Sequence, residues 1–201
     1  LAGSDRADGV VVEKANIDEA YVQLPTGSDL ATDGARYAEI VRDVVKERCG
    51  LVVSVGVAHN KLLAKLAGAA AKSDGVRVVT SRTDIADLLR DTPAHKLPGC
   101  GGALAVKIRA TLGPDARIVD LARLPESRLR GEIGMNPSAA RDIVRRSCGE
   151  CDDPVVTRRN LNKSVGVHTS LALTPRPMYG TGGTVSASGG RPGMFEPLRC
   201  R

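Results

Sequence analysis

The chain has 201 residues, 42% of them hydrophobic and 26% charged, with a mean hydropathy of −0.12. That is room for one ordinary domain or two small ones with a sizeable core, and it excludes a peptide, a stapled mini-protein and a disordered polyelectrolyte. The net charge of +6 is unevenly spread: residues 1–50 hold six Lys and Arg against ten Asp and Glu, whereas residues 51–201 hold 23 against 13. An acidic front and a basic body suit a protein whose front holds cations and whose body follows a polyanion, although plain unevenness of surface charge gives the same pattern.

No stretch approaches the roughly 20 apolar residues of a spanning helix, and residues 1–8 lack a signal-peptide pattern, so no membrane partner is expected. A first residue that is Leu, followed almost at once by a strand-like run, leads us to expect a piece of a longer protein. The five cysteines, Cys49, Cys100, Cys148, Cys151 and Cys200, are scattered and odd in number, which favours a reducing compartment over a disulfide framework. Cys148 and Cys151 form a lone CxxC; without a second pair it reads as a surface loop, and no zinc is assigned.

In chain order, residues 10–13 and 20–24 read as two short strands of a hairpin, with Asp18 and Glu19 at or just past its tip. A loop rich in Gly, Asp and Thr (25–34) precedes Tyr37, Ile40, Val41, Val44 and Val45, whose spacing predicts an amphipathic helix ended by Gly50. Residues 51–57 form a β-branched run of strand length, Asn60 is a suitable N-cap for a helix reaching Lys72, and residues 76–80 read as another strand. The order β-β-α-β-α-β predicts an α+β fold: two helices on one face of a mostly antiparallel sheet, an incomplete ferredoxin-like layer lacking its opening strand. From Thr83 the pattern changes to short helices at 84–90, 102–112, 118–123, 126–133 and 137–148, the last capped by Asn136 with Pro137 at its first position. This predicts a small all-helical domain. After Asp152 and Asp153 a linker leads to strand-like residues 162–173, and residues 174–201 hold too little apolar content for a core, so their composition predicts disorder.

Three constellations carry chemistry. Lys61, Lys65 and Lys72 project within about 40° of one another on one helix face, and no Asp or Glu stands between His59 and Ser73 to pair with them. An anion from outside the helix is implied, a phosphate or simply solvent counter-ions. Asp18 and Glu19 would point to opposite faces of an ideal strand, but a bend lets both serve one hard cation such as Mg²⁺; the alternative is an exposed acidic turn. Leu97, Pro98, Gly99, Cys100, Gly101, Ala105 and Ile108 fit the pattern of a helix-hairpin-helix, in which glycines let backbone N–H groups approach a phosphate without reading sequence; a helix-capping turn is the alternative.

Residues 13–21, Glu-Lys-Ala-Asn-Ile-Asp-Glu-Ala-Tyr, resemble the "SIDEA-Y" motif of the Y-family translesion DNA polymerases. Residues 54–67 are similar to that family's "S-x-G-I-S-x-N-K-x-L-A-K-x-A" block, residues 72–75 to its "K-P-N-G", and residues 161–166 to its "R-K-S-I-G". The thumb hairpin follows in the family's order, and the resemblance covers about residues 10–173. His59 before Asn60, the doubled Gly101 and Gly102, and Leu161 before Lys163 look most like the eta branch.

The resemblance implies a partial catalytic palm over 1–81 and a helical thumb with the helix-hairpin-helix over 82–154. Residues 155–173 become the linker and first strand of a little finger, and 174–201 a Gly/Pro/Ser-rich tail. It implies that Asp18 and Glu19 are catalytic ligands of two Mg²⁺ ions, with Mn²⁺ as a substitute. Lys72 would bind the phosphates of a dNTP, with Lys65 and Lys61 on the same basic surface. Gly99, Gly101, Gly102, Arg158, Arg159, Lys163 and Ser164 would hold primer-template DNA. A sliding clamp would bind through regions outside this chain, and a nuclear location follows from the resemblance alone. Asn16 stands where the family usually has Ser and Gln23 where it often has Asp. The family's first catalytic Asp and its fingers have no counterpart here, so these residues alone are expected to have little polymerase activity. A non-catalytic DNA-binding module and a phosphate-binding metabolic enzyme are the competing readings.

Overall fold

The computed structural model describes residues 9–71 and 75–157. The chain divides into two units at residues 160 and 161, and every described residue lies in the first. Expectations placed on residues 72–74 and on 158–201 lie outside the described residues.

Strands β1 (Val11–Lys14) and β2 (Ala20–Gln23) form the expected antiparallel hairpin, with Val11 opposite Gln23 and Glu13 opposite Tyr21. Residues 15–19 close it, Ala15 N and Asn16 N both donating to the Glu19 carbonyl at 3.0 and 3.1 Å. Helix α1 (Ala35–Cys49) is entered through a π-turn over Leu30–Gly34 within the stretch expected to be loop. Asp29 builds that turn by accepting from Ala31 N at 2.9 Å, a local capping role that Asp favours over a regular helix. Gly50 ends α1 in the left-handed conformation at φ 67°. The predicted apolar stripe is present, yet Tyr37, Ile40, Val41 and Val44 are each 39–46% exposed, so this face contributes little to the core.

Strands β3 (Val55–Ala58) and β4 (Val76–Val79) pair in parallel, Val55 opposite Val76 and Ala58 opposite Val79, with α2 (Lys61–Ala70) between them. This corrects the expectation of one mostly antiparallel sheet: the described strands make two two-stranded sheets, one antiparallel and one parallel. The connections explain it. A five-residue loop reverses the chain between β1 and β2, whereas the α2 crossover returns it to the same end of the sheet before β4 begins. The predicted strand at 51–57 shortens to 55–58 because β4 offers only four partners, and Leu51 and Val52 stand exposed.

The helical part comprises α3 (Arg82–Asp91), a 3₁₀ turn (Ala94–Lys96), α4 (Gly102–Leu112), α5 (Ile118–Ala122), α6 (Glu126–Gly131) and α7 (Pro137–Ser147). Each predicted helix is found. The helix expected over 126–133 stops early at Gly131, where glycine's backbone freedom opposes continuation. A continuous core runs from Leu62, Leu63 and Leu66 of α2 through Leu88 of α3 and Ile108 of α4 to Leu121, Leu129 and Ile143. Each such side chain contributes about 1.5–3 kcal/mol on burial, so α2 is anchored to the helices by several of them. That anchoring fixes where α2 presents its lysines.

Candidate catalytic hairpin and nucleic-acid interface

The first turn of α2 follows Asn60, whose Oδ1 accepts from Leu63 N at 2.9 Å as an N-cap should. Lys61 and Lys65, one turn apart, both meet carboxylates of the hairpin. Lys65 Nζ lies 2.5 Å from Glu19 Oε2, and this hydrogen bond holds the Lys65 ammonium above the ordinary lysine range, with Asp18 adding to the effect through space. Lys61 Nζ lies 2.8 and 3.0 Å from the two oxygens of Glu13 and 4.9 Å from the centre of the Tyr21 ring. Burial pushes the Tyr21 hydroxyl above its ordinary value. The anion implied for the lysine stripe is, in this structure, a pair of carboxylates from the protein itself. The acidic front thus meets two lysines of the basic body.

Asp18 and Glu19 are both exposed at the hairpin tip, adjacent and free of the strand alternation that would send them to opposite faces. Two hard oxygen donors open to solvent fit Mg²⁺, which takes one or two protein carboxylates and completes its shell with phosphates and water. No group of three or more His, Cys, Asp or Glu is gathered among the described residues, so this pair is what the hairpin offers a metal. Lys72, whose side chain would extend the basic face, lies outside the described residues.

Leu97 to Cys100 form a type II turn: Cys100 N donates to Leu97 O at 2.9 Å, Pro98 takes the second position, and Gly99 takes the third at φ 93°. Gly101 then caps α4 and Gly102 opens it at φ 57°. A Cβ at Gly101 or Gly102 would meet nothing within 4 Å, so the backbone here lies open to a close approach. The arm before the turn differs from the expected helix-hairpin-helix in being only a 3₁₀ turn. Pro93 begins it, and Leu97, preceding Pro98, is held extended at ψ 126°, leaving three residues between them. Arg158, Arg159, Lys163 and Ser164 lie outside the described residues.

An impB/mucB/samB family model matches residues 6–69, the stretch that contains the hairpin and nearly all of α2. The chain is 33% identical over 168 residues to the DNA polymerase IV of Ralstonia nicotianae, an alignment covering 84% of this chain and 45% of that protein. The chain is similar to the Y-family DNA polymerases. It is also 29% identical over 158 residues to the DNA polymerase IV of Saccharolobus solfataricus, covering 77% of this chain and 42% of the relative. Among solved structures it resembles the crystal structure of DinB from Sulfolobus solfataricus, with a TM-score of 0.59 and 25% identity over 72% of this chain and 41% of that one. The chain thus spans less than half the length of these Y-family relatives. They bear the name DNA polymerase IV, not that of the eta branch, and they lend no support to a nuclear location. His59, one of the residues that looked eta-like, has a structural engagement of its own: its Nε2 lies 2.9 Å from the Thr80 carbonyl.

Glu13 and Tyr21 belong to the 13–21 motif but carry no role in the sequence pattern. Glu13 is 3% exposed, and besides Lys61 it accepts from Val156 N at 2.9 Å. The available signal is the strand period: Val11 and Glu13 share one face of β1, and Tyr21 stands opposite Glu13 on that same face. An acid on the inward face of a strand requires a partner.

Proposed function

We propose that this chain is the hairpin, helix and thumb part of a template-directed DNA polymerase of the translesion type, which transfers a nucleotide from a dNTP to a primer 3′-hydroxyl. The observation that carries the reading is the Glu19–Lys65 ion pair with Asp18 adjacent to Glu19 at the exposed hairpin tip, within the segment matched by the family. Asp18 and Glu19 are the residues to hold Mg²⁺, with Mn²⁺ as a substitute. A divalent ion bound there supplies charge stabilisation at the transferring phosphoryl group and favours the ionised form of the attacking hydroxyl.

Lys65, now occupied by Glu19, is one arm's length from the same site and becomes available to a triphosphate when that carboxylate turns to a metal; Lys72 is the second phosphate ligand. The open backbone at Gly101 and Gly102, following the Gly99 turn, holds duplex phosphates without reading bases, and Arg158, Arg159, Lys163 and Ser164 are the further phosphate-binding residues of this reading. Membership of the eta branch rests on His59, the Gly101–Gly102 pair and Leu161 alone.

The test is Asp18→Ala in a chain spanning the full length of its relatives. Primer extension should fall by about a hundredfold or more, the scale on which a preorganised charge-stabilising group acts, while affinity for primer-template DNA stays unchanged. Undiminished extension refutes the assignment.

A further inference from the structure

The residues just before and at the start of α2 tie together three parts of the chain that lie far apart in sequence. Asn60 Nδ2 donates to the Gly149 carbonyl at 2.9 Å, just past the end of α7. Lys61 Nζ donates to Glu13 on β1 and to the Pro154 carbonyl at 3.3 Å. Glu13 in turn accepts from Val156 N at 2.9 Å. The segment leaving the helices is therefore held from two sides, by the lysine and by the carboxylate that the lysine neutralises. The side chains of Lys61 and Glu13 are 16% and 4% exposed, against 38% and 47% for Lys65 and Glu19 one turn further along. The outer pair can open to a ligand. The inner pair cannot, because removing Lys61 would strand a buried carboxylate.

A buried ion pair adds little net stability over an apolar filling of the same volume, and its best attested use is to fix register. Here the register is between the hairpin and the segment that leaves the helices. Val156 lies two residues before Arg158, and Glu13 lies five residues before Asp18 on the same hairpin.

We propose that Glu13 and Lys61 are positioning residues: they clasp the segment at Pro154 and Val156 against the hairpin whose tip carries Asp18 and Glu19, so that the chain leaving the helices departs from a fixed point on that hairpin. Lys61 thereby leaves the set of nucleotide-binding lysines, and the chemistry falls to Lys65 and Lys72. This rests on the polymerase reading for its consequence, though not for the clasp itself.

The clasp is tested by amide hydrogen exchange on the 201-residue chain with Glu13→Ala, Glu13→Gln and Lys61→Met. Glu13→Ala should speed exchange at Val156 by about ten- to a hundredfold, the worth of a hydrogen bond to a charged acceptor. Lys61→Met should speed it as well, and Glu13→Gln, which still offers the amide an oxygen, should do so less. The Ala64 amide of α2 reports that the fold is intact. Unchanged exchange at Val156 in Glu13→Ala with α2 intact overturns the proposal.

In a full-length polymerase, Glu13→Ala and Lys61→Met should each lower kcat for primer extension, leave the dNTP KM in place, and combine in the double variant to no more than the larger single effect. A raised dNTP KM in Lys61→Met alone puts that lysine on the nucleotide and also overturns the proposal. Should the unsubstituted polymerase fail to extend a primer, the polymerase reading fails while the exchange result still decides the clasp.

Discussion

Gly56 of β3 is where the placement of the lysine helix can be broken with a single methyl group. A Cβ at this position would stand 2.0 Å from the Ala64 carbonyl oxygen, 2.3 Å from Gly68 N and 3.0 Å from the Ala67 carbonyl carbon, all of them backbone atoms of α2. A carbon approaches a carbonyl oxygen no closer than about 3.3 Å, so in Gly56→Ala the helix must retreat from the strand by more than ~1 Å. A gap of that size forfeits about a quarter to a half of the dispersion attraction along the contact. The residues that lose it include Leu66 and Ala67, 3% and 0% exposed. Overpacking of this kind costs about 1–3 kcal/mol, and the upper end applies because no flexible side chain is available to yield. At about 2–4 °C per kcal/mol for a body of this size, the melting temperature should drop by about 6–12 °C. The assay is thermal unfolding followed by far-ultraviolet circular dichroism, with Gly131→Ala as the control. Gly131 has open space around its would-be Cβ and no positive φ, so alanine there should stabilise by about 0.4–1 kcal/mol. A Gly56→Ala melting temperature within about 2 °C of the parent would refute the close packing of α2 on β3.

Two further outcomes are expected from local chemistry. At the start of α3 the Ser81 hydroxyl, which accepts from Asp84 N at 3.0 Å, and the Ser81 N–H, which donates to Asp84 Oδ2 at 3.1 Å, hold the Asp84 carboxyl below the ordinary value of 3.8. A lowered folded-state value means that this cap contributes fully above the unfolded-state value and is lost as pH falls through the folded-state one, so α3 should loosen only in strong acid. Carboxyl-detected NMR should place the Asp84 midpoint below its ordinary value and Ser81→Ala should move it back up; a parent midpoint at or above that value would contradict the capping box. Burial pushes the Cys100 thiol up to about 11, whereas Cys49 and Cys148 are exposed. Iodoacetamide at pH 8 should therefore alkylate Cys49 and Cys148 in the native protein and spare Cys100 until denaturant is added, as peptide mass mapping would show. Native alkylation of Cys100 as fast as Cys49 would show that the turn at Leu97 to Cys100 is not packed as described.

Local signals were legible and long-range ones were not, and the division follows from what periodicity encodes. Caps and breakers are contiguous: Asn60, Asn136 with Pro137, and Gly50 each mark a helix end at or beside the residue where the structure puts it. The direction of strand pairing is a different matter, since the four residues of β3 and of β4 carry no pattern that separates parallel from antiparallel, and the crossover alone decides it. The stripe on α1 shows which side of that helix is apolar and says nothing of what covers it, hence the exposure of Ile40 and Val44.

Lys61 and Lys65 give the sharpest case, because on the helix they carry the same signal and in the structure they do different things. What separates them is the parity of β1. Inside the strand, alternation places Glu13 on the inward face with Val11, so its lysine is drawn into the fold and spent on holding the chain together. Alternation ends at Lys14, and beyond it the loop at residues 15–19 frees Glu19 to reach the same helix face one turn on while staying open to solvent. One pair thereby becomes scaffold, and the other stays half-exposed at the surface. The boundary between strand and loop, more than either lysine, sets which carboxylate is available for chemistry.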